Sequence, residues 1–551
     1  MKKTKHLLLW SSVGVLLLLI FAAFDENMLK EWRRIQGAAS AQDAPIDVGL
    51  RQVVTPGLNV SDRCVSCHIG MGAGEQGILG PGVVAPHKPI PHQPSEFGCT
   101  ICHGGQGRAT EKRDAHGDVR FWPAPMLPVR YSFAGCGTCH APLHVPNLSA
   151  LEKGRGAFER LDCLACHRLD GRGGTLRPGG GGMEGPNLSY TGFKGYDPLW
   201  HEKHTRHSEE AQRGPWKDSF GPVGDADRES LAVFLASRIG APTLIEAKAL
   251  FHSVGCLGCH KVSGVGGDAG PDLSRSGEKD PGQLDFTHVP GQATFSNWLA
   301  EHFRSPASTV AGSQMPILGL SEDQIELLTM YMLSLRRREL PGAYLPKDRI
   351  QATRFGAREF AIDGATIFSA FCAGCHGADG RGRRYPGTQP FPAITNPDFL
   401  SIASDAFISE TVTRGRPGRK MLAWGEKDGG LRPDEVRSVV GYLRQLGGGV
   451  AQQPDPSPAR WVKSDASAGK RIFAAFCAGC HGKNGEGGEG PALNNKVFLS
   501  AATDRFLVET IGKGRRATAM AGFSISSPVR PALSKGEIEA LVSFIRTWEA
   551  K

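Results

Sequence analysis

Hydrophobic and polar positions divide this chain into one long apolar run and four repeats of a helical pattern. The run extends over 18 residues from Leu7 to Phe24, between Met1-Lys2-Lys3-Thr4-Lys5 and Asp25-Glu26-Asn27. That length is near the lower limit for crossing a bilayer and exceeds a usual signal-peptide core. Lysines before it predict a cytoplasmic N-terminus. The expectation is an uncleaved single-pass anchor over residues 1–28, with the bulk of the chain exported. A cleaved signal peptide is the alternative; Ala39-Ser40-Ala41 would suit cleavage but lies far downstream of the run.

From about residue 149 one plan recurs four times. Each copy opens with a small residue and a phenylalanine four positions on: Gly154/Phe158, Ala247/Phe251, Gly364/Phe368 and Gly469/Phe473. This spacing puts both on one helical face, where the small residue lets a second helix cross closely. A Gly- or Pro-containing loop follows: Gly185-Pro186-Asn187-Leu188, Gly270-Pro271-Asp272-Leu273, Pro392-Ala393-Ile394 and Gly490-Pro491-Ala492-Leu493. Each copy closes with an amphipathic helix bearing an aromatic: Phe234, Tyr331, Tyr442 and Phe544. Ser534 with Glu537, and Ser321 with Gln324, read as capping boxes at two of these helix starts. Methionines 330 and 332, inside the second closing pattern, read as core filler. The fold class is therefore mainly α. Linkers fall where Pro, Gly and polar residues gather, at about 340–360 and at 446–464.

Every one of the 14 cysteines lies in a Cys-x-x-Cys-His motif. The seven copies are Cys64-Cys67-His68, Cys99-Cys102-His103, Cys136-Cys139-His140, Cys163-Cys166-His167, Cys256-Cys259-His260, Cys372-Cys375-His376 and Cys477-Cys480-His481. The pattern reads as covalent attachment of seven c-type haems, two thioethers and one proximal histidine each. Zinc knuckles do not call for a histidine directly after every second cysteine. A disulfide framework would not confine all cysteines to one spacing. Haem attachment also places the bulk on the periplasmic side of the cytoplasmic (inner) membrane. The formal charge of +9 is a poor guide to partners, because seven haems would add roughly 14 propionates; nucleic-acid binding is not expected.

Motif spacing sets the organisation. The first three motifs are 35 and 37 residues apart, too close for independent domains, so residues 29–148 should form one trihaem module. Later spacings allow one small domain per haem: 149–241, 242–340, 355–447 and 462–551. Residues from about 150 to 549 resemble four tandem class I cytochrome c domains, the last two being close copies (Ile367-Phe368 to Gly382 against Ile472-Phe473 to Gly487). The resemblance implies a proline near each proximal histidine and a distal methionine downstream. Met315, Met421 and Met520 fill that position for haems five, six and seven.

Haem four departs from the plan. No methionine lies between Leu188 and the closing helix, while His201, His204 and His207 occur together. His204 or His207 is the expected distal ligand, a five-coordinate iron or surface histidines being the alternatives. In the trihaem module His87 or His92, His116 and His144 are the candidates for bis-His ligation, against Met71 and Met126 in Gly- and Pro-rich loops. Bis-imidazole haems run at lower potential than His/Met haems, which orders the chain downhill from the membrane toward the C-terminus.

A second resemblance covers Lys30 to Gly117. Its elements are Glu31-Trp32-Arg33-Arg34-Ile35-Gln36, Asp62-Arg63 before the first motif, Phe97-Gly98 before the second with Gly104-Gly105-Gln106-Gly107 after it, and Ala115-His116-Gly117. These resemble membrane-anchored multihaem subunits found with cytochrome b and Rieske-type quinol oxidoreductases. The resemblance implies such subunits as partners, an electron-exit role toward a periplasmic redox partner or terminal oxidase, and ligation by His116. A non-catalytic electron carrier is the leading expectation. The alternative is a multihaem peroxidase or nitrogen- or sulfur-oxide reductase with an open site at haem four. Gas sensing would need a signalling domain, and none is visible.

Overall fold

The computed structural model describes residues 2–40, 46–71, 87, 90–119, 122–174, 185–194, 204–205, 222–386 and 388–549. It is mainly helical, with strands limited to three two-stranded antiparallel ribbons among the described residues. The apolar run is helical over Lys2–Phe24, and its Leu, Ile and Phe side chains are exposed. It is long and apolar enough to cross a membrane. One π-turn, Asp25–Leu29, separates it from the helix Glu31–Ser40.

Two compact units follow from the packing: Met1–Ala141 with Arg275–Leu299 and Met332–Ile350, and Pro142–Ser274 with Ala300–Tyr331 and Gln351–Lys551. These units cut across the borders expected from motif spacing. The stretch expected as a linker from about 340 is in part a component of the first unit.

In the first unit short 3-10 and α turns carry the motifs, and buried polar side chains tie them down. Gln36 is fully buried, but its amide donates to the Gly49 and Ser66 carbonyls and accepts from the Gly49 N–H. This satisfied amide fixes the second helix to the first motif. Asp62 is equally buried; its carboxylate accepts from the backbone N–H groups of Cys99 and Thr100 at 2.6 and 2.8 Å. It thereby supplies orphan donors at the start of the second motif with an anion.

In the second unit three of the four repeats show a crossed pair of helices: Leu148–Arg160 on Asp225–Ala236, Gly364–Phe371 on Pro433–Leu446, and Ala466–Phe476 on Lys535–Arg546. A Cβ at Gly154, Gly364 or Gly469 would overlap the carbonyl oxygen of Ser230, Ser438 or Ala540 on the facing helix. Glycine is thus required by backbone approach. The aromatic pairs of all four repeats pack at centroid distances of 5.8, 4.8, 5.6 and 5.5 Å for Phe158/Phe234, Phe251/Tyr331, Phe368/Tyr442 and Phe473/Phe544. Such tilted contacts add to the area they bury.

Ion pairs join the repeats within this unit. Lys248, on the helix Pro242–Val254, is buried and donates to Glu359 at 2.5 Å and to the Pro142 carbonyl at 2.9 Å. Glu435 is buried and accepts a bidentate fork from Arg358 at 2.5 and 2.6 Å, together with the Arg432 N–H at 2.7 Å. One turn beyond Lys248, His252 is only 2 % exposed, and its Nδ1 has no hydrogen-bond partner.

Burial, reinforced by the Lys248 charge, pushes the His252 imidazole from 6.5 down to about 3. Its folded-state value lies below its unfolded value, so the unfolded chain binds the extra proton. The neutral ring's contribution is present above pH 6.5 and is lost as pH falls from there toward 3. Each pH unit in that window costs up to about 1.4 kcal/mol. Denaturant titrations at pH 7 and pH 5 should therefore show His252→Phe gaining about 2 kcal/mol on the unchanged chain between the two conditions. Parallel pH dependence in both proteins would refute this.

The last two repeats meet in a contact that reads the same from both sides. Asn396 donates to the Arg516 carbonyl, and its counterpart 99 positions on, Asn495, donates to the Pro417 carbonyl, at 2.8 and 3.1 Å. Phe407 and Phe506, again 99 apart, pack at 4.7 Å. Arg416 lies over Phe407 and Phe498, and Arg515 over Phe399 and Phe506. An exposed ion pair, Arg516 with Asp398 at 2.8 Å, edges the contact.

Candidate haem sites

All seven motifs adopt the same local shape. The histidine N–H reaches back to the carbonyl of the first cysteine four residues earlier, at 2.8–3.0 Å in every copy. This single turn puts both thiols and the imidazole on one side of the backbone. Burial holds several thiols well above their usual range, with Cys67, Cys102, Cys163 and Cys477 pushed up to about 11 and Cys136, Cys256 and Cys372 to about 12. Such surroundings favour an uncharged sulfur, as in a thioether, over the thiolate a zinc site needs. Among the described residues no group of three or more His, Cys, Asp or Glu converges as a metal cluster.

The four class I-like repeats orient their proximal histidines identically. Nδ1 of His167, His260, His376 and His481 lies 2.8–2.9 Å from the carbonyl oxygens of Pro186, Pro271, Pro392 and Pro491. An Nδ1–H donated there leaves Nε2 with its lone pair free for a metal. In three repeats the glycine before the proline gives the ring its room: a Cβ at Gly185, Gly270 or Gly490 would sit 2.6–2.8 Å from imidazole Cε1. Burial holds His68, His103, His260 and His376 below the ordinary histidine value, favouring the neutral ring that ligates iron.

Four further imidazoles face motif imidazoles. His116 stacks opposite His68 with ring centroids 6.5 Å apart, His87 faces His103 at 6.1 Å, and His92 stacks opposite His140 at 5.8 Å. His204 faces His167 at 6.2 Å. Two metal–nitrogen bonds of about 2 Å each, plus the ring radii, put axial imidazoles about 6 Å apart. Each pair could therefore hold one iron, and the residues fit a haem.

His87 and His92 thus each face a motif imidazole, although the sequence left them as alternatives. His144 is brought to no motif: it sits on an exposed turn with positive φ, its N–H bonded to the Arg358 carbonyl. His201 and His207 lie outside the described residues. Met315, Met421 and Met520 occupy half-buried loop positions. The Met421 and Met520 carbonyls accept from the Arg416 and Arg515 N–H groups at 2.8 Å, so both methionines sit on the same tight loop in their respective repeats.

The motifs also touch one another within each unit. The Cys64 and Cys99 side chains are neighbours. A Cβ at Gly135 would overlap the Cys102 carbonyl, directly joining the second and third motifs. In the second unit Cys259 and Cys375 are likewise neighbours, and Gly255 packs backbone to backbone on Gly374.

One residue in these sites carried no sequence signal. Asp348 Oδ2 lies 2.9 Å from His140 Nδ1, across 208 positions of sequence. His68 Nδ1 is buried without a partner.

Comparison with known proteins agrees with this geometry. Residues 244–336 and 361–447 match the family described as cytochrome c, and residues 464–545 match cytochrome c oxidase, cbb3-type, subunit III. The cbb3-type cytochrome c oxidase subunit FixP of Bradyrhizobium sp. (strain ORS 278) is 36% identical over 162 residues, covering 28% of this chain and 51% of that protein. Subunit CcoP of Cereibacter sphaeroides is 28% identical over 242 residues, covering 42% and 73%. The chain thus spans about half the length of the FixP protein it matches. A solved thiosulfate dehydrogenase from Marichromatium purpuratum aligns over 72% of this chain and 90% of its own at 17% identity, with a TM-score of 0.17, too low to bear on fold or function. Family matches, motif geometry and helical repeats lead to one conclusion: the chain is a multihaem c-type cytochrome with class I cytochrome c domains, which imply covalently bound haem c.

Proposed function

We propose that the chain is a membrane-anchored heptahaem subunit carrying electrons from a quinol-oxidising membrane complex to periplasmic acceptors. The observation that carries this reading is the close backbone approach of attachment motifs, Gly135 on Cys102 and Gly255 on Gly374. Haems attached at motifs this close would suit relay better than isolated catalysis. The apolar helix Lys2–Phe24 supplies a single-pass anchor with the remainder on the periplasmic side. Partners are then a cytochrome b/Rieske-type complex at the donor end and a periplasmic carrier or terminal oxidase at the other. The similar proteins are subunits of cbb3-type oxidases, which supports the oxidase end.

The facing rings His68/His116, His103/His87, His140/His92 and His167/His204 would hold haems one to four. By resemblance to class I domains, His260/Met315, His376/Met421 and His481/Met520 would hold haems five to seven. A ring opposite His167 at 6.2 Å argues against an open iron at haem four and so against the enzymatic alternative.

Gentle detergent extraction followed by haem quantification and electron paramagnetic resonance tests the whole reading. Seven haems per chain, all low-spin when oxidised, with a cytochrome b subunit co-purifying, is the expected result. A haem count below seven, or a free monomer with no cytochrome b, overturns the corresponding part.

A further inference from the structure

The third haem site is completed by a segment that sequence alone reads as linker. Residues Met332–Ile350 belong to the first compact unit and cross the third motif as a strap. Arg338 donates to the Leu58 carbonyl at 2.8 Å, and Arg349 donates to the Thr138 carbonyl at 2.6 Å and the Cys139 carbonyl at 3.4 Å. Between these anchors Asp348 places Oδ2 2.9 Å from His140 Nδ1, while its Oδ1 accepts from the Arg349 N–H at 2.8 Å. The ring so held is the one that His92 faces at 5.8 Å.

The contrast lies with the other proximal histidines. His167, His260, His376 and His481 give their Nδ1 proton to a neutral proline carbonyl. His140 alone among these five meets a carboxylate. A charge-assisted bond draws the Nδ1 proton toward oxygen more strongly than a carbonyl does. The ring becomes a stronger donor through Nε2, and stronger axial donation stabilises ferric over ferrous iron.

We propose that Asp348 is a positioning residue that lowers the reduction potential of the third haem, making it the electron-rich site of the trihaem unit. This rests on reading Cys136, Cys139 and His140 as a haem attachment. The inference alters the simple downhill order along the chain, because the third haem becomes a local step that an electron must climb to enter.

Asp348→Asn in the full chain tests it. The amide keeps the size of the carboxylate and can hold the strap, but it carries no charge. Spectroelectrochemical titration should show one bis-His haem with its oxidised-to-reduced ratio at fixed potential lowered about tenfold, a 59 mV upward shift for a one-electron couple. Asp348→Glu should return that haem toward its original midpoint. A purely structural strap would change thermal stability without moving one midpoint selectively. Seven attached haems with every midpoint unmoved, or with several moved together, overturns the proposal. Haem quantification showing no haem at Cys136 and Cys139 overturns the attachment reading instead.

Discussion

If the chain carries the proposed haem at Cys163 and Cys166, replacing His204 by alanine should convert that haem from six-coordinate low-spin to five-coordinate high-spin. The expectation follows from the ring pair His167/His204, whose centroids stand 6.2 Å apart, the separation that two axial imidazoles adopt. His167 would remain in place, because its Nδ1 is held by the Pro186 carbonyl and not by the distal side. Without His204 the iron would offer an open coordination position. Oxidised His204→Ala should show a high-spin resonance worth one haem and should bind cyanide rapidly, and its ferrous form should take up one carbon monoxide. His207→Ala should leave the spectrum unchanged. If His207→Ala gives the high-spin signal and His204→Ala does not, the assignment is wrong.

The second large effect is on stability. Glu435→Leu should destabilise the second unit by about 3–5 kcal/mol, the usual cost of stripping one partner from a buried pair. Glu435 is 1 % exposed and Arg358 11 % as side chains, so the guanidinium would be left with the Gly430 carbonyl as its remaining acceptor there. The substitution also removes the acceptor of the Arg432 N–H, loosening the start of the helix Pro433–Leu446. The double variant Arg358→Met/Glu435→Leu should recover most of the loss, because it removes both charges together. Chemical unfolding followed by circular dichroism checks both. An additive double variant would mean that the pair is not coupled.

How much of this was legible beforehand depends on the range of the interaction. The four helical repeats were readable because their signals are local. A glycine four residues before a phenylalanine marks a close crossing, and Gly154, Gly364 and Gly469 each turned out to need the absence of a Cβ. The seven attachment motifs were readable because covalent chemistry fixes their spacing. The pairing of imidazoles was not. His87 and His92 are five positions apart in a Pro-rich stretch with no periodicity, and only tertiary placement sends one to His103 and the other to His140. His144 resembled them in sequence but is held elsewhere by backbone bonds around Arg358 and Glu359. Asp348 was invisible for the same reason in stronger form. It lies in a stretch whose Pro, Gly and charged residues read as a spacer, and its partner is 208 positions away.

The reciprocal contact between the last two repeats has the form of an isologous interface, the kind by which two identical protomers associate. Here both protomers are written in one chain, joined by about 15 residues rich in Gly, Pro and Gln. A tether of that length raises the effective concentration of one half around the other to roughly the millimolar range, so even a weak contact stays closed. It also frees the two halves from having to be identical. Arg516 pairs with Asp398 on one side, whereas the positions related by the same 99-residue offset are Pro417 and Val497. The ion pair therefore exists once, a departure from symmetry that a true homodimer, with every residue present twice, could not make.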